Sequence, residues 1–512
     1  MSQFSAGDAA VNRLTAATDA FEKVLTEPEG KMIPMPVGQP QPSLAERLKR
    51  ALDAVTVQPA QAAAQAADAA QLASQSAAAA AQSAADASNS AAATGYVAPP
   101  FPDVWAPLSD DLKMIAGYPV NTKLLSFTRA STATYIDKSG VLQTAAINEP
   151  RFEKEGLLIE QQSTNYFRYS DDPSRWPNKD SSLTLQVKND GNSNAQTGVF
   201  TTTVAKVDVQ AIQSENLSLT AGQAFTVSCR TMGSVDVMRI RVIKDGAFYA
   251  NLDLNFKTGV ITSGGAGTIA GTAVLGGDGY WALKGTFTVT DEGTYAAQLR
   301  ARDPSSAAII PVGSIFYVQI PQVELGTMQT SFIVTGSAVA TRAADDCYAQ
   351  RSGNDNYFGP VTIAAEVHCN GQTATDGAAS SRRGILAAYP TTNDNIILMV
   401  DSSASTAGKY AFAYGSAAFN YSDNRIDDGQ THTVCSRSTT LQNQSCVDGT
   451  LLTSPTPVSR PTPGTTSSVN QLFYIGRGAG ATASGSRMLN GHIRNLRIWH
   501  RALSDIQMKG IR

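Results

Sequence analysis

Hydrophobic positions along this chain follow different rhythms in different stretches. Near the N-terminus Val11, Leu14, Thr18, Phe21 and Leu25 recur at spacings of three and four, which puts them on one face of a helix. Pro34, Pro36, Pro40 and Pro42 break that rhythm, each fixing φ and removing an amide donor. Ser43 and Glu46 then have the spacing of a capping box, and Leu44, Leu48, Leu52 and Val55 predict a second amphipathic helix behind them. Residues 1–58 therefore read as a helical region. Two short amphipathic helices bury little by themselves, so they require a partner.

Residues 59–94 are dominated by Ala, with Asp68 and Asp86 the charged positions. A seven-residue period is legible: Gln61, Asp68, Gln75, Gln82 and Asn89 stay polar, while Ala63, Ala70, Ala77, Ala84 and Ala91, with Ala66, Ala73, Ala80 and Ala87, form an all-Ala seam. Ala has the best helix propensity, and such a seam lets helix axes approach closely, as in a coiled-coil stalk. The alternative is a flexible polar linker, because Ala this abundant matches many registers. Residues 95–120 follow as a Pro-rich neck, with Phe101 and Trp105 set to anchor it on something globular.

Beyond residue 120 the period becomes two. Met238, Ile240 and Val242 alternate with Arg239 and Arg241; Leu252, Leu254 and Phe256 alternate; Trp281, Leu283, Phe287 and Val289 keep one parity. Gly264-Gly265, Gly276-Gly277 and Asp278-Gly279 mark turns. A second β block opens near Tyr357, with Val361, Ile363, Ala365 and Val367 alternating, a buried run from Ile396 to Val400, and the strand Leu472 to Ile475. Frequent strands without helical periodicity between them predict sandwiches rather than a parallel α/β sheet. The expected fold is mainly β: two tandem β-sandwich (jelly-roll) domains, 121–345 and 346–512, behind an N-terminal helical, Ala-rich coiled-coil stalk.

Composition removes several function classes. Charged residues are 16% of the chain and the net charge is −3, so no electrostatic footprint for nucleic acid is present. No basic amphipathic stretch suggests a membrane surface, and no run is apolar enough to predict a membrane span. Asp8, Arg13, Asp19, Glu22 and Lys23 interrupt the first thirty residues, which excludes a cleavable signal peptide from the expectation. Five cysteines without a C-x-x-C pair make neither a disulfide nor a zinc framework.

Specific motifs then carry a resemblance. Phe127-Thr128-Arg129-Ala130-Ser131, Tyr135, Pro150-Arg151-Phe152, Gly156-Leu157-Leu158-Ile159-Glu160 and Thr164-Asn165 resemble a signature of bacteriophage tail-fibre and tailspike-type proteins. Tyr169-Ser170-Asp171 with Trp176, then Gly277-Asp278-Gly279-Tyr280-Trp281, Gln322-Val323-Glu324-Leu325-Gly326 and Thr330-Ser331-Phe332-Ile333, are similar to a carbohydrate-binding-module-like jelly roll. Thr341-Arg342-Ala343-Ala344-Asp345 closes that unit and echoes Thr128-Arg129-Ala130. The last block resembles a laminin-G or concanavalin-A-like lectin sandwich through His432-Thr433-Val434, Val447-Asp448-Gly449, Leu489-Asn490-Gly491-His492-Ile493-Arg494-Asn495 and Arg501-Ala502-Leu503-Ser504-Asp505.

Candidate chemistry is sparse. No nucleophile elbow, H-E-x-x-H pair, P-loop or EF-hand loop occurs. His432 and Cys435 have metal-ligand spacing, with His368-Cys369 to complete a set, but an odd separation within a strand points the two apart, so no metal is expected. Cys435 and Cys446 fall opposite each other in a hairpin centred between Thr440 and Leu441, either as packed thiols or as a pair that oxidises after release. Asp401, Asp423, Asp427 and Asp428 show no glycosidase pairing and read as loop carboxylates. For sugar binding, rings stack on pyranose faces and carboxamides read hydroxyls. Tyr410, Phe412 and Tyr414 share strand parity; Tyr421 and Asn424, read as lying in a polar loop, and Tyr414 are the candidate carbohydrate-binding residues, with Phe419 and Tyr389 nearby.

Together, the motifs imply a homotrimeric phage tail fibre or appendage, with no cofactor, no metal, no catalytic residues and no enzymatic activity. Its helical region 1–58 attaches to other virion tail proteins, and its last sandwich binds a host cell-surface glycan such as lipopolysaccharide or capsule. The implied location is the virion, after synthesis in the host cytoplasm. A tailspike-like polysaccharide-degrading enzyme and a purely structural tail component are the alternatives.

Overall fold

In the computed structural model, the described residues are 3–94, 97–117, 124–176, 179–189, 195–303, 309–351, 353–354, 359–369, 383–388, 396–401, 405–414, 419–439, 441–453, 455–457, 472–478 and 487–511. The chain divides into two units, Met1–Tyr96 and Val97–Arg512.

The first unit is helix Gln3–Thr26, a two-strand ladder of Met32–Ile33 and Gln41–Pro42, and helix Leu44–Thr94. The Pro-rich break is thus a small hairpin rather than an open linker. Ser43 Oγ accepts the Glu46 N–H at 3.1 Å, as a cap should. The capping box is not completed. The Glu46 carboxylate instead accepts Gly30 N–H at 2.8 Å and Arg50 Nε at 2.7 Å. No break separates the second amphipathic segment from the Ala-rich one. One helix of 51 residues carries both, about 75 Å long at 1.5 Å per residue. Val11, Leu14, Phe21, Leu48, Leu52 and Val55 are exposed on these helices.

The second unit is mainly β and holds two sandwiches. The middle one packs two six-stranded sheets. One runs Leu183–Asn189, Gln196–Thr202, Ile315–Leu325, Ala224–Gly233, Trp281–Thr288, Thr268–Leu275. The other runs Asp208–Gln213, Gly293–Arg302, Val237–Lys244, Ala247–Asn255, Ile261–Gly265, with Leu217–Leu219 also paired to Gly293–Arg302. Inward residues at period two fill the space between them: within the first sheet Phe200 stacks on Phe316 at 5.0 Å and Phe225 on Phe287 at 5.5 Å, and Phe225 meets Tyr295 of the other sheet at 6.4 Å.

The last sandwich corrects the expected boundaries. Its seven-stranded sheet ends on Ser126–Thr128, beside Asp346–Gln350. Its nine-stranded sheet takes Gly156–Ile159, Phe152–Glu153 and Val104–Ala106, the first and last both paired to Gly491–Trp499. Among the described residues, 97–117 therefore make no neck, and 124–160 no lead-in to the middle sandwich. Their apolar side chains explain why: Val104, Leu108, Leu125, Phe127, Leu157 and Ile159 are buried in the same core as Ile363, Leu386, Phe412 and Ile493. The middle sandwich is an insertion in the last one, entered by Ser163–Asn165 and left by its ladder partner Ala340–Arg342. Gly156 permits the close approach. Its φ is +122°, and a Cβ there would lie 2.6 Å from Ile493 O.

Candidate functional site

The signature motifs fold onto the junction where the middle sandwich is inserted. Arg129, Arg151 and Arg342 are fully buried there, facing Glu160 and Asp345. Arg151 donates to Glu160 Oε2 at 2.8 Å, Asp345 Oδ2 at 2.5 Å and Ser331 Oγ at 2.7 Å. Arg129 donates to Asp345 Oδ1 at 3.1 Å and Ala146 O at 2.7 Å. Arg342 donates to Gln161 O at 2.7 Å and lies 3.5 Å from Glu160. Burial alone raises the Glu160 pKa, but Arg342, Arg151 and the Ser331 hydrogen bonds outweigh it and hold the carboxyl down at about 2. Nearby, Glu324 accepts Ser163 Oγ at 2.6 Å, Thr330 Oγ1 at 2.5 Å and Gln322 Nε2 at 2.8 Å, and burial pushes its carboxyl up. These side chains have no exposed surface for a ligand. Their work is to fix two sandwiches against each other.

Two of the three sugar-binding candidates, Tyr421 and Asn424, occupy the outer strand Asn420–Arg425 of the seven-stranded sheet. Tyr421 and Asn424 thus stand on a strand, where a loop was expected. Tyr421 is half-buried with its ring 5.9 Å from that of Phe419. Asn424 is exposed, its carbonyl accepting Ser422 Oγ at 2.6 Å. Tyr414 is corrected: it is fully buried in the core with Tyr410 and Phe412, because all three keep the inward parity of Lys409–Tyr414. It presents no platform to a ligand. Tyr410 OH reaches Ser436 Oγ of the opposite sheet at 2.6 Å, and burial raises its pKa. Tyr389 lies outside the described residues.

The carboxylates around this strand take structural partners. Buried Asp427 receives Arg425 on both oxygens at 2.9 Å and Arg383 at 3.3 Å. Gly408, at φ +78°, makes room for it, since a Cβ would sit 2.1 Å from Asp427 Oδ1. Buried Asp401 accepts Thr406 Oγ1 at 2.5 Å. Asp423 and Asp428 are exposed. His432 lies between Asp448, 2.6 Å from Nδ1, and Asp428, 2.9 Å from Nε2. Burial lowers its pKa, but the two carboxylates prevail and raise it overall. Cys435 turns to the opposite side of its sheet, into a cluster with Cys446, Trp499, Leu503 and Met508 beneath the C-terminal helix Asp505–Lys509. His432 and Cys435 are therefore not brought together. Among the described residues, Glu153, Glu155 and His492 set ligand-type atoms within 4.8 Å of one another, and His492 Nε2 already pairs with Glu153 at 2.8 Å.

Residues 335–508 match the family model described as the concanavalin A-like lectin/glucanases superfamily. The C-terminal sandwich is a laminin-G/concanavalin-A-like lectin domain. Solved structures similar to the chain include a heptameric SAP-like pentraxin from Limulus polyphemus, at 17% identity over 30% of this chain and 69% of that one, with a TM-score of 0.22. Mouse laminin α1 domains LG4–5 share 16% identity over 56% of this chain and 90% of theirs, TM-score 0.20. A Trypanosoma rangeli sialidase shares 10% identity over 75% of this chain and 98% of its own, TM-score 0.24. At these scores none of the three bears on function. No curated protein matches the chain. The lectin-like domain speaks for carbohydrate binding.

Proposed function

We propose that this chain is a homotrimeric bacteriophage tail fibre or appendage, without enzymatic activity, that attaches the virion to its host by binding a surface glycan. The observation that carries the reading is the lectin domain at 335–508. The tail-fibre part rests on the motif resemblance, above all Phe127 to Ser131 and Gly156 to Glu160. The helical region 1–58 would hold other tail proteins, and the long helix would give reach. Three weak sites on one fibre, and several fibres per particle, bind far more tightly than one site through effective concentration.

Tyr421 and Asn424 are the contacts to test, Tyr421 by stacking and Asn424 by reading hydroxyls. Fluorescent full-length protein should bind host cells, and a Tyr421→Ala/Asn424→Ala variant should bind at least about fivefold more weakly if a net hydrogen bond and a ring contact are lost. Wild-type binding by that variant would remove the edge strand as the receptor site. Absence of binding by the wild type would favour a purely structural tail component. Truncation before residue 346 is a poor substitute, because it would strip Val104–Ala106, Ser126–Thr128 and Gly156–Ile159 of their ladder partners.

A further inference from the structure

Two histidines meet on the outer face of the nine-stranded sheet. His368 and His492 are direct partners in the ladder between Val361–Cys369 and Gly491–Trp499, and their rings cross edge to face with centroids 5.6 Å apart. Their chain neighbours Val367 and Ile493 point the other way, into the core. Cys369, which the sequence sets beside His368, is in that core as well, so the fold gives His368 a different companion. The hairpin of Phe152–Glu153 and Gly156–Ile159 brings two carboxylates to the same place. Glu153 opposes Gly156, and His492 opposes Leu158, two positions along and on the same face. A Cβ on Gly156 would lie 2.8 Å from the Cβ of Arg494, so glycine lets this turn close on the strand that carries His492.

Glu153, Glu155 and His492 thereby hold ligand-type atoms within 4.8 Å of one another. Glu153 is oriented through Oε1, which accepts Ile136 N–H at 2.7 Å, and its Oε2 lies 2.8 Å from His492 Nε2. Glu155 is half-buried; among the described residues its carboxylate accepts no hydrogen bond, and its charge acts on His368. His492 is 8% exposed, and its Nδ1 is buried with no hydrogen-bond partner. In native proteins such an atom ordinarily meets a bound water or an ion. The neighbouring charges are engaged elsewhere. Arg494, two residues along on the same face, donates to Glu366 at 2.6 Å, and Asp428 is held by His432 at 2.9 Å. Lys154 stands exposed at the turn.

We propose that Glu153, Glu155 and His492 bind one divalent transition-metal ion of the zinc type, with His368 beside them as the fourth ligand. Mixed nitrogen and oxygen donors suit zinc or cobalt, whereas calcium and magnesium take oxygen alone. Ligand atoms at about 2.0–2.2 Å from a tetrahedral ion lie about 3.4 Å from one another, so short swings of the half-buried Glu155 and His368 side chains close the site. The ion fastens the hairpin that precedes the inserted sandwich to the strand Gly491–Trp499 that follows it. Glu153 and Glu155 stand outside residues 335–508, so the lectin domain does not carry this site by itself. Nor does it depend on the glycan reading, whose residues Tyr421 and Asn424 belong to the other sheet.

Equilibrium dialysis of untagged, EDTA-stripped full-length protein against Zn²⁺ or Co²⁺ tests this, with the visible spectrum of the Co²⁺ form as a report on the ligands. One ion should bind per chain, the Co²⁺ spectrum should lack a thiolate charge-transfer band, and Zn²⁺ should raise the melting temperature. Glu155→Gln should weaken binding by at least about tenfold, since even outer partners of a metal site are worth that much. Its metal-free melting temperature should not change, because no hydrogen bond is lost. His492→Gln and His368→Gln should also weaken binding; if the buried His492→Gln fails to fold, Glu155→Gln carries the test. His432→Gln and the Tyr421→Ala/Asn424→Ala variant should bind metal as wild type does, so failure here is distinguishable from failure of the glycan site. A wild type that takes up neither ion at micromolar concentration, or a Glu155→Gln variant that binds as tightly, overturns the proposal. A thiolate band, or loss of the ion in His432→Gln, puts the metal elsewhere and overturns it equally. Preference for Ca²⁺ over Zn²⁺ overturns the choice of metal, and wild-type binding by His368→Gln removes the fourth ligand.

Discussion

Glu160 shows what a buried charge contributes at the residue scale. Desolvation disfavours its carboxylate, yet Arg342 and Arg151 reverse the balance and hold the group at about 2 against an ordinary 4.5. A carboxyl whose folded pKa is depressed contributes stability above its unfolded pKa and loses it as pH falls through the folded one. Folding stability should therefore decline between about pH 4.5 and 2, by roughly 3 kcal/mol from this group alone. Glu160→Gln should cost about 3–5 kcal/mol at neutral pH, because it leaves buried arginines with less compensation. It should also flatten the acid limb. Urea unfolding at a series of pH values checks both, and an unchanged acid limb in the variant would show that other carboxyls dominate it. The arginines were legible in the sequence only as motif letters. Nothing local distinguishes Arg129 or Arg342 from a solvated arginine; burial beside Glu160 and Asp345 does.

At the scale of elements, period two was a faithful guide to which side chains share a face. The hairpin arithmetic that opposed Cys435 and Cys446 agrees with the ladder, where they are direct partners. Both are free, buried thiols. Burial raises both pKa values, that of Cys446 to about 11. The thiolate is the nucleophile, so neither should react with an aromatic disulfide reagent at pH 8 until the chain is unfolded in urea. Rapid labelling of the native protein would mean that the C-terminal helix does not cover them. Parity also placed Arg239 and Arg241 together and Tyr414 with Phe412. It could not say which face is inside. For Tyr414 that choice ruled out the proposed platform.

For the whole molecule, the outstanding question is assembly. Val11, Leu14, Phe21, Leu48, Leu52 and Val55 are each more than half exposed in the single chain. Burying such a stripe between copies gains about 25 cal/mol per Å² of apolar surface, which supports the proposed trimer. Sedimentation at micromolar concentration should give three times the 53.8 kDa chain mass. Leu48→Asp/Leu52→Asp should shift it toward monomer without changing the β-sheet signal. A monomeric wild type would sink the trimer.

Apart from the strands Val104–Ala106 and Asn420–Arg425, the sequence by itself determined the kind of most elements, the faces they share and the lectin-like motifs of the last block. Those depend on neighbours two, three or four positions apart, and the chain states such distances directly. Only the tertiary structure decided that Val104–Ala106, Ser126–Thr128 and Gly156–Ile159 complete the last sandwich and that the middle one is inserted within it. Strand pairing across hundreds of residues is settled by which apolar faces fill one core together, and no local pattern encodes that choice. The buried ionic joint follows from the same cause. A charge becomes costly or available only once the fold has decided what stands beside it.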